Sequence, residues 1–226
     1  TATTDFYVAP YSLAPGTITV GSGNTTGTGA PYNMTNGTYG GMKTQYIISA
    51  ADLAASGLSA GNINAIGLDF SAAGATYQGF SVEMGTTALT EFPSPVSIIG
   101  GLTPVRAAAN FTPVSGINTL TLSPAFSWDG VSNIIISTSW SNNNSPYTDG
   151  TIRYNTTATY TSQSYRKDNE TFANLATFTG ATAAGTSTFD RSQSRPKFLF
   201  NGITLCEGLR VPVTATVNTA PSFAVT

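Results

Sequence analysis

The feature that most constrains this chain is its rhythm. Apolar residues come in short alternating runs, and Gly, Asn, Asp or Pro ends each one. "INAIGLDF" (63–70) sets Ile66, Leu68 and Phe70 on one side, and "FSVEMGTT" (80–87) does the same with Phe80, Val82 and Met84. A period of two residues belongs to a strand with one face buried, because successive side chains of an extended backbone point to opposite faces. Further runs of this kind lie at 16–24, 43–49, 117–123, 132–140, 150–157, 162–168 and 195–202. Strands recurring between turn signals, with no long helix, predict an all-β fold: an antiparallel β-sandwich of jelly-roll type. Ile134 and Ile136 join the six residues above as its expected core.

One stretch departs from the pattern. Between the runs at 43–49 and 63–70 lies "AADLAASGLSAG", which predicts a short helical turn near residues 50–57. Ser49 is placed to cap it, Asp52 falls in its first turn, and Gly57 ends it. Ala51, Leu53, Ala54 and Leu58 form the expected apolar face. The turn is expected to carry the chain from one strand to a core strand and to cap an open end of the sandwich. Two further expectations concern connections. The Gly/Thr/Asn-rich stretch 21–41 is a surface excursion, and the runs at 63–70 and 80–87, joined by "SAAGATYQG", form a hairpin. The sandwich is expected to span 16–204, with 1–15 a leader or linker and 205–226 a linker or the first strand of a following repeat.

Composition narrows the function. Charged residues make up 9% of the 226, and the net charge is -2, so Thr, Ser, Asn, Gln and Gly must cover the surface. Uncharged hydrogen-bonding groups are not screened by salt, which suits an extracellular setting. Nucleic acid is excluded as a partner, since phosphate binding needs clustered Lys and Arg. Arg191, Arg195, Lys197 and Arg210 fall near one another and read as edge-strand charges that block sheet-to-sheet pairing. An anion site is the other reading. The chain has no His, which removes Ser-His-Asp and Cys-His catalysis. Its single cysteine, Cys206, has no internal disulfide partner. No run approaches the ~18 apolar residues of a membrane-spanning helix. The chain opens on "TATTDF" without an initiator Met or signal peptide and stops at "SFAVT", which reads as a segment of something longer.

The ordered series "YGGMKTQYIISAADLAASGLSAGNINAIGLDF", "FSVEMGTT", "FSWDGVSNIIISTSW", "GTIRYNTT", "SYRKDNE" and "RSQSRPKFLFNG" resembles a β-sandwich module of very large secreted surface proteins of Bacteroidetes, flavobacteria especially. "LCEGLRVPVTATV" resembles the joint to a following repeat. The resemblance covers about residues 16–204. It implies export by the type 9 secretion system, a place on the cell surface in an adhesin or filament, adjacent repeat domains as partners, and in some relatives gliding motility. It transfers no catalytic residue. Relatives carry Cys after the "KDNE" region, whereas "TFANLATFTGATAAGTSTFD" here has none, so Cys206 lacks the partner the resemblance implies. In a bacterial protein, the sequons "NMT" and "NGT" are coincidences of an Asn/Thr-rich surface.

Two constellations bear on chemistry. If Phe70 opposes Phe80, Glu83 lies diagonal to Asp69 at about 7–8 Å, within the roughly 6.5–9.5 Å of an inverting glycosidase. The plainer reading is two solvated outward charges. The loop "SWSNNNSPYTDG" (139–150) gathers Trp140, Asn142, Asn143, Asn144, Tyr147 and Asp149. Aromatic faces, amides and a carboxylate suit a sugar, while oxygens at Asn144 and Asp149 suit a structural Ca²⁺. Against both stands a turn built for backbone reasons with Trp140 in the core. Tyr154, Tyr160 and Tyr165 are candidates for the same side, and Trp128 for the core. The expectation is therefore a non-enzymatic attachment module without a cofactor, with a surface glycan as its candidate partner. The alternatives are a carbohydrate-binding domain of a secreted multidomain enzyme and a purely structural spacer.

Overall fold

In the computed structural model, residues 2–8, 11–23, 25–27, 40–143, 150–180, 187–207 and 211–217 are described. The strands in chain order are β1 (Ala2–Val8), β2 (Tyr11–Val20), β3 (Thr25–Gly27) and β4 (Gly41–Ile48), then, after helix α1 (Ala50–Ala55), β5 (Gly61–Ala72), β6 (Tyr77–Thr87), β7 (Thr103–Phe111), β8 (Gly116–Trp128), β9 (Asn133–Ser141), β10 (Thr151–Thr156) and β11 (Ser162–Lys167). Helix α2 (Phe172–Thr177) precedes β12 (Ser187–Ser192), β13 (Ser194–Pro196), β14 (Phe198–Glu207) and β15 (Val211–Val217).

Two antiparallel sheets make the sandwich. The first contains the order β2-β14-β5-β8, and the second β4-β9-β6-β7. Along the chain these eight strands fall in the first, second, first, second, second, first, second and first sheet, which is the jelly-roll winding. The segment between β9 and β14 adds to both sheets. β11 and β12 extend the second beyond β4, while β10 and β13 join the first. Ile152 of β10 lies between Phe70 and Gly27, in the lane that β14 occupies farther along, where Phe198 lies between Leu68 and Val20.

All eight residues expected in the core are there, Leu68 and Val82 at 1% and 0% exposure. They share it with Phe198 and Phe200, with Trp128, and with an aromatic group in which Tyr77 meets Trp140 edge-on at 5.2 Å. The expected hairpin is not formed. β5 pairs with β8, β14 and β10, and β6 with β7 and β9, so the turn at 73–76 carries the chain from one sheet to the other.

α1 makes another of the crossovers between the sheets, from β4 to β5, and its ends are fixed locally. The Ser49 hydroxyl accepts from Asp52 N at 3.0 Å. At the far end Gly57 N donates to Ala54 O and Leu58 N to Leu53 O, a Schellman arrangement that requires the left-handed φ of +92° at Gly57. Leu53 and Leu58 are buried in the core, but Ala51 and Ala54 are exposed. The helix is too short to present more than one side chain per turn inward, so the expected four-residue face reduces to two leucines.

The second helix, α2, is not foreseen by the sequence reading. With residues 88–102 it covers the outer face of the second sheet. Ile47 and Ile135 pack on Phe92, with Ile99 and Leu102 against them, and Tyr165 packs with Ile98 and Leu175. This cover is why every residue of β4 is buried. Gln45 ties the cover down: its Nε2 donates to Ile99 O at 2.6 Å and its Oε1 accepts from Ile99 N at 2.9 Å. Lys43, also buried, pairs with Glu83 at 3.2 Å and donates to Ala176 O. Within 1–15, expected to be a leader or linker, and 205–226, expected to be a linker or the first strand of a following repeat, the described residues lie in strands that pair with each other. The β2–β14 ladder runs on to Tyr11 and Glu207, and β1 pairs with β15 from Ala2–Val217 to Val8–Val211. Cys206 lies opposite Ser12 on this extension, exposed and free.

Candidate functional site

The residues singled out from the sequence do not converge. Trp140 sits on β9 opposite Met42 with 3% exposure, and a ring buried among Tyr77 and its neighbours offers no face to a sugar. Asn142 is also buried. Its Oδ1 accepts from Gln78 N at 2.8 Å and its Nδ2 donates to Thr76 O at 3.2 Å, so the amide fixes the start of β6. Asn143 is exposed, with a left-handed φ of +49°, a conformation asparagine tolerates in turns. Asn144, Tyr147 and Asp149, and with them the candidate Ca²⁺ position, lie outside the described residues. Tyr165 is buried under Phe178, which takes it off any open surface. Trp128 is in the core, its indole N–H donating to Ser132 O at 2.8 Å.

The carboxylate pair is separated by the sandwich itself. Asp69 alternates with Leu68 and Phe70 and so faces outward from the first sheet. Glu83 alternates with Val82 and Met84 and faces outward from the second. The core between the sheets, about 10 Å thick, keeps them apart. Each is neutralised where it stands, Asp69 by Arg153 at 2.6 Å and Lys197 at 3.1 Å, Glu83 by Lys43. This overturns the diagonal placement, which depended on β5 and β6 being hairpin neighbours. Among the described residues no group of three or more His, Cys, Asp or Glu side chains is placed to hold a metal ion, and no helix is long and apolar enough to cross a membrane.

Where side chains do converge is a cleft of about 350 Å³ at one end of the sandwich, within the size range of small-ligand sites. The end of β4, α1, the β10–β11 connection and β13 form its walls. Its polar lining includes Ser49, Asp52, Thr90, Asn155, Thr159 and Arg195. Asn155 and Arg195 are direct cross-strand partners on β10 and β13, so their side chains share a face. Arg195 donates from Nη1 to Asp52 Oδ2 at 2.9 Å and lies 3.5 Å from Ile47 O. The two partners are unequal: Arg195 is 7% exposed at its side chain and Asp52 44%. Arg195 Nε is buried and has no partner among the described residues. Arg195 thus lies on an edge strand of the first sheet, β13, as a buried, ion-paired element of the cleft floor, and Arg191 lies on an edge strand of the second, β12. Arg210 lies outside the described residues.

The β10–β11 wall is held rigid. The Thr157 hydroxyl lies 2.8 Å from Thr159 O, 2.8 Å from Gln193 O and 2.9 Å from the Thr161 hydroxyl. Gln193 Nε2 donates to Ala158 O at 2.9 Å, and Asn155 Oδ1 accepts from Gly23 N at 2.7 Å. Beside the cleft, Tyr160 carries the Arg191 guanidinium 4.0 Å above its ring, while Glu91 Oε2 lies 3.5 Å from its N–H. The signal for this cleft is faint in the sequence. The threonine-rich run "TTATYT" (156–161) and the basic residues near 195 are visible there, but nothing in the chain links Asp52 to a residue 143 positions away.

No protein-family model matches the chain, and no curated protein or solved structure is significantly similar to it.

Proposed function

We propose that this protein is a non-enzymatic attachment module of a large secreted bacterial surface protein, and that it holds a polysaccharide in the cleft at the end of its sandwich. The observation that carries the reading is the cleft's lining: hydroxyls, an amide and one internally neutralised ion pair on a wall fixed by its own hydrogen bonds. Such a lining matches a ligand rich in hydroxyl groups and loses little entropy on binding, because it is ordered beforehand. The ordered motifs resembling Bacteroidetes surface modules support the setting, with export by the type 9 system, adjacent repeats in the same chain and a role in attachment or gliding. The low charge supports an extracellular location. A single such cleft binds weakly, and several modules in one polypeptide would raise the avidity without any new contact.

The absence of turnover is part of the proposal. What supports it is that Asp69 and Glu83 face opposite ways and are each committed to cations. The test is a binding panel of plant and bacterial polysaccharides run beside a reducing-sugar assay on the same samples. The expected result is retention of at least one polysaccharide with no release of reducing ends, and loss of retention in Ala158→Trp, which fills the cleft from another exposed lining position. Release of reducing ends that disappears in Asp69→Asn would make this an enzyme. Retention of nothing would leave the spacer reading.

A further inference from the structure

We infer that the end cleft selects by charge, accepting an uncharged sugar unit with adjacent hydroxyls and rejecting uronate and sulfated sugars, and that Asp52 is the residue that sets this selectivity. The inference rests on the attachment reading and concerns what the cleft discriminates. Arg195 alone, buried and held at Nη1, would be an anion receptor, since a guanidinium matches carboxylate and sulfate oxygens as a planar fork. Asp52 cancels it from 2.9 Å away. Because Asp52 is the exposed partner, an approaching ligand meets a carboxylate at the mouth of the cleft and a guanidinium at its floor. Oδ1 of Asp52 makes no bond to the described protein, since Arg195 is held through Oδ2. It is free to accept from a ligand hydroxyl while neighbouring donors serve the next oxygen. A vicinal diol fits that order of acceptor and donor. An anionic group does not, because it meets Asp52 first. The surrounding charges do not alter the balance: Glu91 and Arg191, both beside Tyr160, are of opposite sign, and Ser49, Thr90, Asn155 and Thr159 are uncharged.

The experiment titrates the purified chain with a neutral set (a β-glucan, a mannan and a galactan) and an acidic set (polygalacturonate and alginate), at low and high salt. The unmodified chain is expected to bind a neutral polymer with a salt-independent Kd and the acidic polymers at least about tenfold more weakly. Asp52→Asn keeps an acceptor for Arg195 Nη1 but removes the negative charge. It is expected to gain about tenfold or more for polygalacturonate at low salt, with the gain lost at high salt. Thr159→Lys adds a positive charge at an exposed position without touching the ion pair, and should show the same gain even if Asp52→Asn does not fold. No gain in a folded Asp52→Asn, none in Thr159→Lys, or equal binding of both sets by the unmodified chain overturns charge selection while leaving attachment standing. Binding of neither set overturns the attachment reading, and the inference with it.

Discussion

Trp140→Ala separates the two roles that the sequence allowed for this residue. The ring is 3% exposed, lies opposite Met42 across the β4–β9 ladder and meets Tyr77 edge-on at 5.2 Å. Removing a buried tryptophan costs about 3–5 kcal/mol, the lost transfer energy plus the cavity left behind. For a domain of this length each kcal/mol shifts Tm by about 2–4 °C, so a fall of about 6–20 °C is expected in a calorimetric melt. Trp140→Phe keeps much of the volume and the edge contact and should lose less. Trp128 and Trp140 are the chain's two tryptophans, and both are buried. Intrinsic emission should therefore be that of an apolar environment and should stay unchanged when a polysaccharide saturates the protein. A Tm shift within about 2 °C, the scale of an exposed substitution, together with lost binding and a ligand-dependent emission change, would refute this and return Trp140 to the binding surface.

The cover on the second sheet gives a second prediction. Gln45→Ala removes both bonds to Ile99 and the acceptor for Gln163 Nε2 at 2.8 Å. Gln163 Nε2 keeps Ser97 O as a partner, so the two Ile99 groups left unpaired should cost about 2–6 kcal/mol at about 1–3 each, and hydrogen exchange should speed selectively at 97–99; unchanged exchange there would show that the clip does not hold the cover. Stability should also depend on pH at both extremes. The Lys167 ammonium holds the Glu170 carboxyl below its ordinary 4.5, helped by Asn174, and the Ser132 side chain and backbone hold Asp129 below 3.8. For a depressed carboxylate the stabilisation is complete above the ordinary value and is lost as pH falls through the folded one. Melts should therefore stay level down to about pH 4–5 and then drop, with a shallower drop in Glu170→Gln. Lys167 is raised above its ordinary 10.5, chiefly by its bond to Glu170, so its contribution persists below that value and disappears as pH rises through the raised one. A Glu170→Gln profile identical to that of the unmodified chain at both extremes would refute the assignment.

What the sequence determined by itself was which way side chains face and where local signals stop an element. The alternation at 63–70 and 80–87 put the right six residues in the core, and Ser49, Asp52 and Gly57 marked the ends of α1, because strand pleat and helix capping depend only on residues a few positions apart. The sandwich class followed from the number and spacing of such runs. Pairing could not be read in the same way. A period of two is identical for a strand that turns back in its own sheet and one that arches to the other, so β5 and β6 looked like a hairpin and Asp69 and Glu83 like neighbours. α2 was missed because "TFANLATF" is too short to show a helical period, although Thr171 caps it by accepting from Asn174 N. Trp140 was open to a core reading and, because asparagines follow it, to a binding one, and the packing of Tyr77 from another strand decides for the core. The cleft is the extreme case. Asp52, Asn155 and Arg195 come from three parts of the chain, and the jelly-roll winding brings them together at one end. Its chemistry exists only as a product of tertiary structure, since neither the neutralised charge of Arg195 nor its burial is a property of the residues on either side of it.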